Sequence, residues 1–208
     1  MLRILSYLFL IASIVLFSCF YFNNDISSVR IGEQEWMSNN LDVIVYLNGD
    51  TIPHIQDAEA WSNQTKGAWC YVDVNKKFFG KVYNWYAVDD SRGLAPIGWE
   101  IPNKEQWSEL INYLGGYEKA AKKLKSSSGW KGFGDGINSS KMNCFPGAGR
   151  SSTGIVFGSI GGNVGFWTSS DVNQSTSAKS INLDYYSSKV YSYKVNKKNG
   201  FYIRCVKN

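Results

Sequence analysis

The sequence predicts an α+β domain in which short antiparallel strands precede two helices and a long loop-rich half follows them. Three observations carry this. Two strand-like segments, Val29-Arg30-Ile31 and Gln34-Glu35-Trp36-Met37, are separated by the turn Gly32-Glu33. A capped amphipathic helix and a shorter second helix occupy about 103–124. From Ser126 onward no helical period recurs, and Gly and Ser punctuate short aromatic runs. Strands, then helices, then strands is the α+β order.

The chain opens with a segment that precedes the fold. Arg3 and the free amine supply positive charge, and an apolar run from Ile4 to Phe17 follows at once. These are the n-region and h-region of a secretory signal. The run closes on Leu16-Phe17-Ser18-Cys19, which resembles the bacterial lipobox, with Cys19 as the lipidated residue and new N-terminus. Two other readings stay open. Phe20-Tyr21-Phe22 lengthens the apolar stretch to about the 20 residues that span a bilayer, which suits an uncleaved anchor, and a plain cleaved signal is the third. All three export the chain. The division expected is 1–18 signal peptide, 19–28 lipidated cysteine and tether, and 29–208 a single domain. A lipid anchor holds by burying CH₂ groups, at about 0.8 kcal/mol each.

Past Cys19 about 189 of the 208 residues remain, enough for one domain with its own core. Without Arg3 the 22 basic side chains become 21 against 17 acidic ones, a net charge near +4. That is short of a nucleic-acid-binding footprint, so no nucleic-acid partner is expected. Eight Trp, thirteen Tyr and 20 Gly describe a compact fold with many turns.

Within the domain, Asn48-Gly49 is a strong turn signal, and Asp57 is placed to cap a single helical turn over 57–61. Asn103 and Gln106 form a capping box. Trp107, Leu110, Ile111 and Leu114 then recur at helical spacing as one buried face, and Gly115-Gly116 ends the helix. A second helix over about 118–124 turns Ala120, Ala121 and Leu124 inward; its Lys119, Lys122, Lys123 and Lys125 read as a solvated face. Residues 189–195 alternate as a strand, and 196–200 turn into a final strand expected to pair with the first.

Of the four cysteines, Cys19 belongs to the anchor. The odd remainder of Cys70, Cys144 and Cys205 suggests one bridge and one buried thiol in an oxidising compartment. Cys70–Cys205 is the expected bridge, because both sit in strand-like segments; closing so long a loop contributes about 4–5 kcal/mol in a chain-entropy account. The alternative is three buried free cysteines acting as small apolar residues.

Nothing marks an enzyme. His54, the single histidine, would have to serve any Ser-His-Asp or Cys-His system, and it is flanked by Pro53 and Ile55 just beyond a turn. Asp73 and Asp89-Asp90 look like turn residues. No metal or other cofactor is expected, although Asp135 with Asn138, or Asp171 with Asn173, offers hard oxygen ligands to calcium outside any defined loop motif.

With the segments placed, six blocks resemble one family. Ile31-Gly32-Glu33-Gln34-Glu35-Trp36-Met37-Ser38-Asn39-Asn40-Leu41 resembles the opening IG-x-Q-x-W-M-x-x-N-L of the Fibrobacter succinogenes major paralogous domain. Gly80-Lys81-Val82-Tyr83-Asn84-Trp85-Tyr86-Ala87-Val88 and Arg92-Gly93-Leu94-Ala95-Pro96-Ile97-Gly98-Trp99-Glu100-Ile101-Pro102 are similar to its next two blocks. Residues 145–150, 166–170 and 200–206 are similar to its last three, in order. The resemblance implies a C-type-lectin-like fold related to formylglycine-generating enzymes, in exported proteins or lipoproteins of Bacteroidetes-type bacteria; it carries little about activity. Those enzymes use a closely spaced cysteine pair near the C-terminus, whereas Cys144 and Cys205 are far apart, so the relationship does not transfer the reaction. Val82 replaces a usual Leu. Cys144 stands where the family mostly has another residue, which makes it the expected unpaired thiol.

Gly165 to Tyr193 is rich in Trp, Tyr, Ser and Asn, side chains that suit recognition, and C-type-lectin-like folds use this region for ligands. Trp167, Asn173, Tyr185, Tyr186, Tyr191 and Tyr193 are the candidate ligand-binding residues. Trp167 also reads as core, while strand alternation turns some of the tyrosines outward. The expectation is a non-catalytic lipoprotein of the cell envelope, on the surface or periplasmic face of the outer membrane, that binds a glycan or a surface protein. A structural part of a surface assembly is the alternative; an enzyme related to the formylglycine-generating type ranks third.

Overall fold

The computed structural model describes residues 26–73, 75, 79–171 and 175–208. The signal segment, Cys19 and the expected anchor lie outside the described residues, as does Asn173. The fold is α+β. Hairpin β1 (Ser28–Ile31) and β2 (Gln34–Met37) turns at Gly32-Glu33, with Gly32 at φ 62°, where glycine is free of strain. The chain ends in β11 (Val206–Lys207), which inserts between β2 and β5 (Trp99–Glu100), giving the order β1-β2-β11-β5. The last strand therefore pairs with the second, through Val206 opposite Trp36, and not with the first as the sequence suggested. The tight hairpin is the reason: one edge of β2 is already taken by β1.

The helices follow their end signals. In α1 (Ala58–Ser62) the Asp57 carboxylate accepts from the Ala60 N–H at 2.8 Å. The four-residue α2 (Trp85–Val88) is capped by Asn84. In α3 (Lys104–Tyr113) Asn103 Oδ1 accepts from the Gln106 N–H, and Gln106 Oε1 accepts from the Asn103 N–H, both at 2.9 Å. Replacing Asn103 with Ala is expected to cost about 1 kcal/mol, read as a lower urea midpoint at unchanged slope; an unmoved midpoint would mean that the reciprocal bond carries no stability. The last helix, α4 (Ala120–Leu124), buries Ala120, Ala121 and Leu124 as its spacing requires. Its solvated face is only partly as expected, because Lys125 is 2% exposed. Lys125 lies four residues after Ala121, on the inward side, and the chain leaves helical geometry there.

Between α1 and α2 the chain makes a two-stranded ladder, β3 (Trp69–Cys70) with β4 (Val82–Tyr83), and after α4 it adds a second, β6 (Gly149–Arg150) with β7 (Val156–Phe157). The centre is a three-stranded sheet, β10-β9-β8, from β8 (Asn163–Asp171), β9 (Ser177–Asp184) and β10 (Val190–Asn196). Both faces are covered over β8 and β9, while much of β10 is exposed. Phe166, Ile181, Leu183 and Val190 join Trp36, Trp107 and Leu110 in one core cluster. On the other face Trp167 and Ala178 join Tyr46, Trp85, Phe201 and Ile203 in a second.

The expected Cys70–Cys205 bridge is absent: Cys70, Cys144 and Cys205 are all free and buried. Cys70 lies on β3 in the first cluster and Cys205, just ahead of β11, in the second, so the strands that carry them serve different sheets. The reading as small buried apolar residues is the one the fold adopts.

Candidate functional site

The loop that joins β9 to β10 carries Tyr185, Tyr186, Ser187 and Ser188 around a recess of about 160 Å³, with Phe133 and Lys125 on its other walls. Lys125 holds the recess together. Its ammonium donates to the carbonyls of Asp184, Ser187 (2.7 Å) and Gly134 (3.4 Å), and lies 4.6 Å from the centre of the Trp130 ring. One buried cation thus ties the end of β9, the following loop and the 131–135 turn to the end of α4. Burial pushes its pKa down to about 8, against the opposing charges of Asp184 and Asp135. Close approach also fixes the wall: a Cβ on Gly134 would sit 2.5 Å from the Tyr185 carbonyl oxygen, so only glycine fits there.

The rings that this frame presents are open to solvent. Phe133 is fully exposed, Tyr186 is 69% exposed and Tyr185 42%. Tyr185 and Tyr186 meet edge to face at 5.2 Å, while Tyr191 and Tyr193, on one side of β10, stack in parallel at 5.9 Å. Their hydroxyls converge: Tyr191 bonds Ser187 Oγ at 3.0 Å, and Tyr186 bonds the Asp184 carboxylate at 3.4 Å. The Tyr186 phenol is held above its usual range first by the Asp184 charge, then by burial and by Tyr191 and Tyr193. Burial raises the Asp184 carboxyl in turn. The four tyrosines expected from the sequence therefore share one surface, with carboxylate and serine oxygens among them.

Trp167 does not belong to it. Its ring is fully buried, its Nε1–H donates to the Tyr83 carbonyl at 2.7 Å, and it packs against Phe201 at 4.9 Å. It is core, because the sheet has no open face at that strand. Phe133, Lys125 and Asp184 are the residues that the sequence reading missed. A phenylalanine between Gly132 and Gly134 was the available sign, since such a turn has little with which to cover a ring.

The other polar candidates hold turns and strands. Asp135 Oδ1 accepts from the Trp130 N–H at 2.9 Å, and Asn138 Oδ1 from the Asn143 N–H at 2.9 Å. Asp171 pairs with Lys197 at 3.0 Å. His54 is exposed and stacks on Trp69 at 4.0 Å. Asp90 pairs with Arg92 at 2.8 Å, and Asp73 accepts from the Asn75 N–H.

Residues 29–207 match the Fibrobacter succinogenes major domain. The chain belongs to that family. Neither curated proteins nor solved structures give a match. In this Fibrobacter succinogenes major domain the matched span runs from β1 to β11, so it takes in both core clusters and the tyrosine surface. Among the described residues no helix is long and apolar enough to cross a membrane.

Proposed function

We propose that this Fibrobacter succinogenes major domain is a non-catalytic binding module of C-type-lectin-like type, carried on a lipid anchor at Cys19 in the cell envelope, with its ligand on the tyrosine surface. The observation that carries the reading is the set of exposed rings, Phe133, Tyr185, Tyr186 and Tyr193, held by a buried Lys125 frame beside polar oxygens. Exposed aromatic rings on a rigid frame give contact area at low entropic cost, and the serine and carboxylate oxygens give direction. A glycan suits this chemistry: a sugar ring stacks on an aromatic face while its hydroxyls reach Asp184 and Ser187. The acylation reading rests on Leu16-Phe17-Ser18-Cys19.

A protein ligand is the second reading, favoured by β10. That strand ends the sheet, with β9 as its one strand neighbour among the described residues, and Tyr193 lies on it beyond Val190, whose N–H is taken by the Tyr117 carbonyl at 2.7 Å. Such an edge accepts an added strand.

The test is a glycan array on the purified protein beside Phe133→Ala and Tyr186→Ala. Glycan binding is expected, weakened about tenfold or more by either change, with stability moving by less than about 0.5 kcal/mol. A clean array together with co-purification of a surface protein would favour the edge-strand reading. Turnover that survives dialysis and disappears in His54→Ala would overturn both.

A further inference from the structure

Arg150 and Arg204 are the two buried guanidinium groups among the described residues, and they are satisfied differently. Arg150 donates from Nε to the Gly154 carbonyl at 2.8 Å, from Nη1 to Ile55 at 3.2 Å and from Nη2 to Gln56 at 2.8 Å. Arg204 donates from Nη1 to the carbonyls of Met37 (3.3 Å) and Met142, and from Nη2 to Asn40 Oδ1 at 2.7 Å. Its buried Nε has no partner. A guanidinium has five N–H donors, so Nε–H and one Nη2–H remain uncommitted. The partners it has are all neutral.

Arg204 also lines a cavity of about 250 Å³ whose other polar walls are Ser38, Asn39, Asn40, Asp42 and Asn143. Asp42 is already engaged, at 2.5 Å from the Lys81 ammonium, so among the described residues the cavity keeps one uncompensated positive charge. Its size is near the lower end of small-molecule sites. On one wall Asn143 stands at φ 56°, in the left-handed region. Such conformations persist where the surroundings enforce them, and they gather at ligand sites.

A buried charge without a counter-charge is costly, and the cost is removed when an anion takes the free donors. Two uncommitted N–H groups on one guanidinium suit a planar carboxylate, which accepts both. The Asp42 side chain, 56% exposed at the mouth, disfavours a second negative charge on the ligand. We propose that this cavity binds a small monocarboxylate, with its carboxylate on the free donors of Arg204 and its remainder against Asn39, Asn143 and Ser38.

The test follows the Arg204 Nε–H resonance of ¹⁵N-labelled protein, and Tm, during titration with acetate or glycolate against chloride at matched ionic strength. Acetate or glycolate is expected to move the resonance saturably and to raise Tm, because a ligand that binds only the folded state stabilises it. Chloride should do neither, and inorganic phosphate should bind more weakly. Asn39→Leu narrows the mouth while removing no buried hydrogen bond, and should weaken binding about tenfold. Arg204→Lys keeps the charge but loses the fork, and should weaken it as much. A resonance and Tm that respond to acetate no more than to chloride would overturn the proposal, as would equal affinity for phosphate or unchanged affinity in Asn39→Leu.

Discussion

Trp167→Ala should destabilise the protein by about 3–5 kcal/mol, the range for deleting a large buried ring. Three losses combine. The indole is fully buried against Phe201, so its removal leaves a cavity. The Tyr83 carbonyl loses the donor at 2.7 Å, and a buried acceptor left alone costs about 1–3 kcal/mol. The position is also central in β8, where Trp167 lies opposite Ser180 of β9, so collapse of the site would pull on two strands. Against a typical domain stability of about 5–15 kcal/mol, this change alone brings the fold near its limit. Urea unfolding read by tyrosine and residual tryptophan emission measures it, with Tyr186→Ala as the exposed control. A Trp167→Ala protein of ordinary stability that had lost only ligand binding would return the residue to the recognition surface and contradict the burial argument.

That prediction reverses one reading of the sequence, and the reason lies in how strands report their surroundings. A strand that is open to solvent mixes apolar and polar residues, and 189–195 was legible because β10 lies at the sheet edge with Ser192, Tyr193 and Lys194 exposed. Strands buried on both faces read as continuous apolar runs without a period. Phe166-Trp167 is such a run, its neighbours falling into two different clusters, so nothing in the sequence said which ring faced a ligand and which the core. Helix α3 was legible almost to the residue, because Asn103, Gln106, the Trp107-to-Leu114 spacing and Gly115-Gly116 all agree. Helix α2 was not: four residues inside an aromatic stretch are too few to show a period. Its formation depends on Asn84 as cap and on Trp85 donating to the Thr168 carbonyl 83 residues away.

The site divides in the same way. The tyrosines were visible as composition, and their spacing on β10 placed Tyr191 and Tyr193 on one side. Lys125 hid in a cluster of lysines, although its separation of four from Ala121 was a sign of the inward face. Phe133 showed only through its place between Gly132 and Gly134, and the uncommitted Arg204 was not legible, since it depends on what distant segments leave uncovered: it reaches Met37, Asn40 and Met142 from the far end of the chain.

The three thiols give the second large effect, in alkali. Burial pushes Cys70 and Cys144 up to about 11 and Cys205 up to about 12, from an unfolded value near 9.0. A group whose folded pKa is raised contributes stability that is complete below its unfolded pKa and is lost as pH climbs through the folded one. The window here opens near pH 9 and closes near pH 12. Between the unfolded and folded values the unfolded chain has released about three more protons than the native one, so stability falls by about 4 kcal/mol per pH unit. Buried Tyr46, raised to about 12, and Tyr83 and Tyr202, also raised by burial, act in the same direction above pH 10. Lys125 opposes them: its pKa is lowered to about 8 from 10.5, so its contribution grows as pH rises across that interval. The stability curve should therefore stay level from pH 8 to about 9 and then drop steeply, with unfolding near pH 11. Near-UV circular dichroism against pH measures the midpoint, and Cys144→Ala should relax the slope by about 1.4 kcal/mol per unit. In the same buffer at pH 8 the three thiols should resist a disulfide reagent until denaturant is added. Retention of native dichroism at pH 12, or rapid labelling of Cys70, Cys144 or Cys205 in the folded protein, would show that these side chains are not the inert, water-free core residues that the packing around Trp61, Arg204 and Tyr83 makes them.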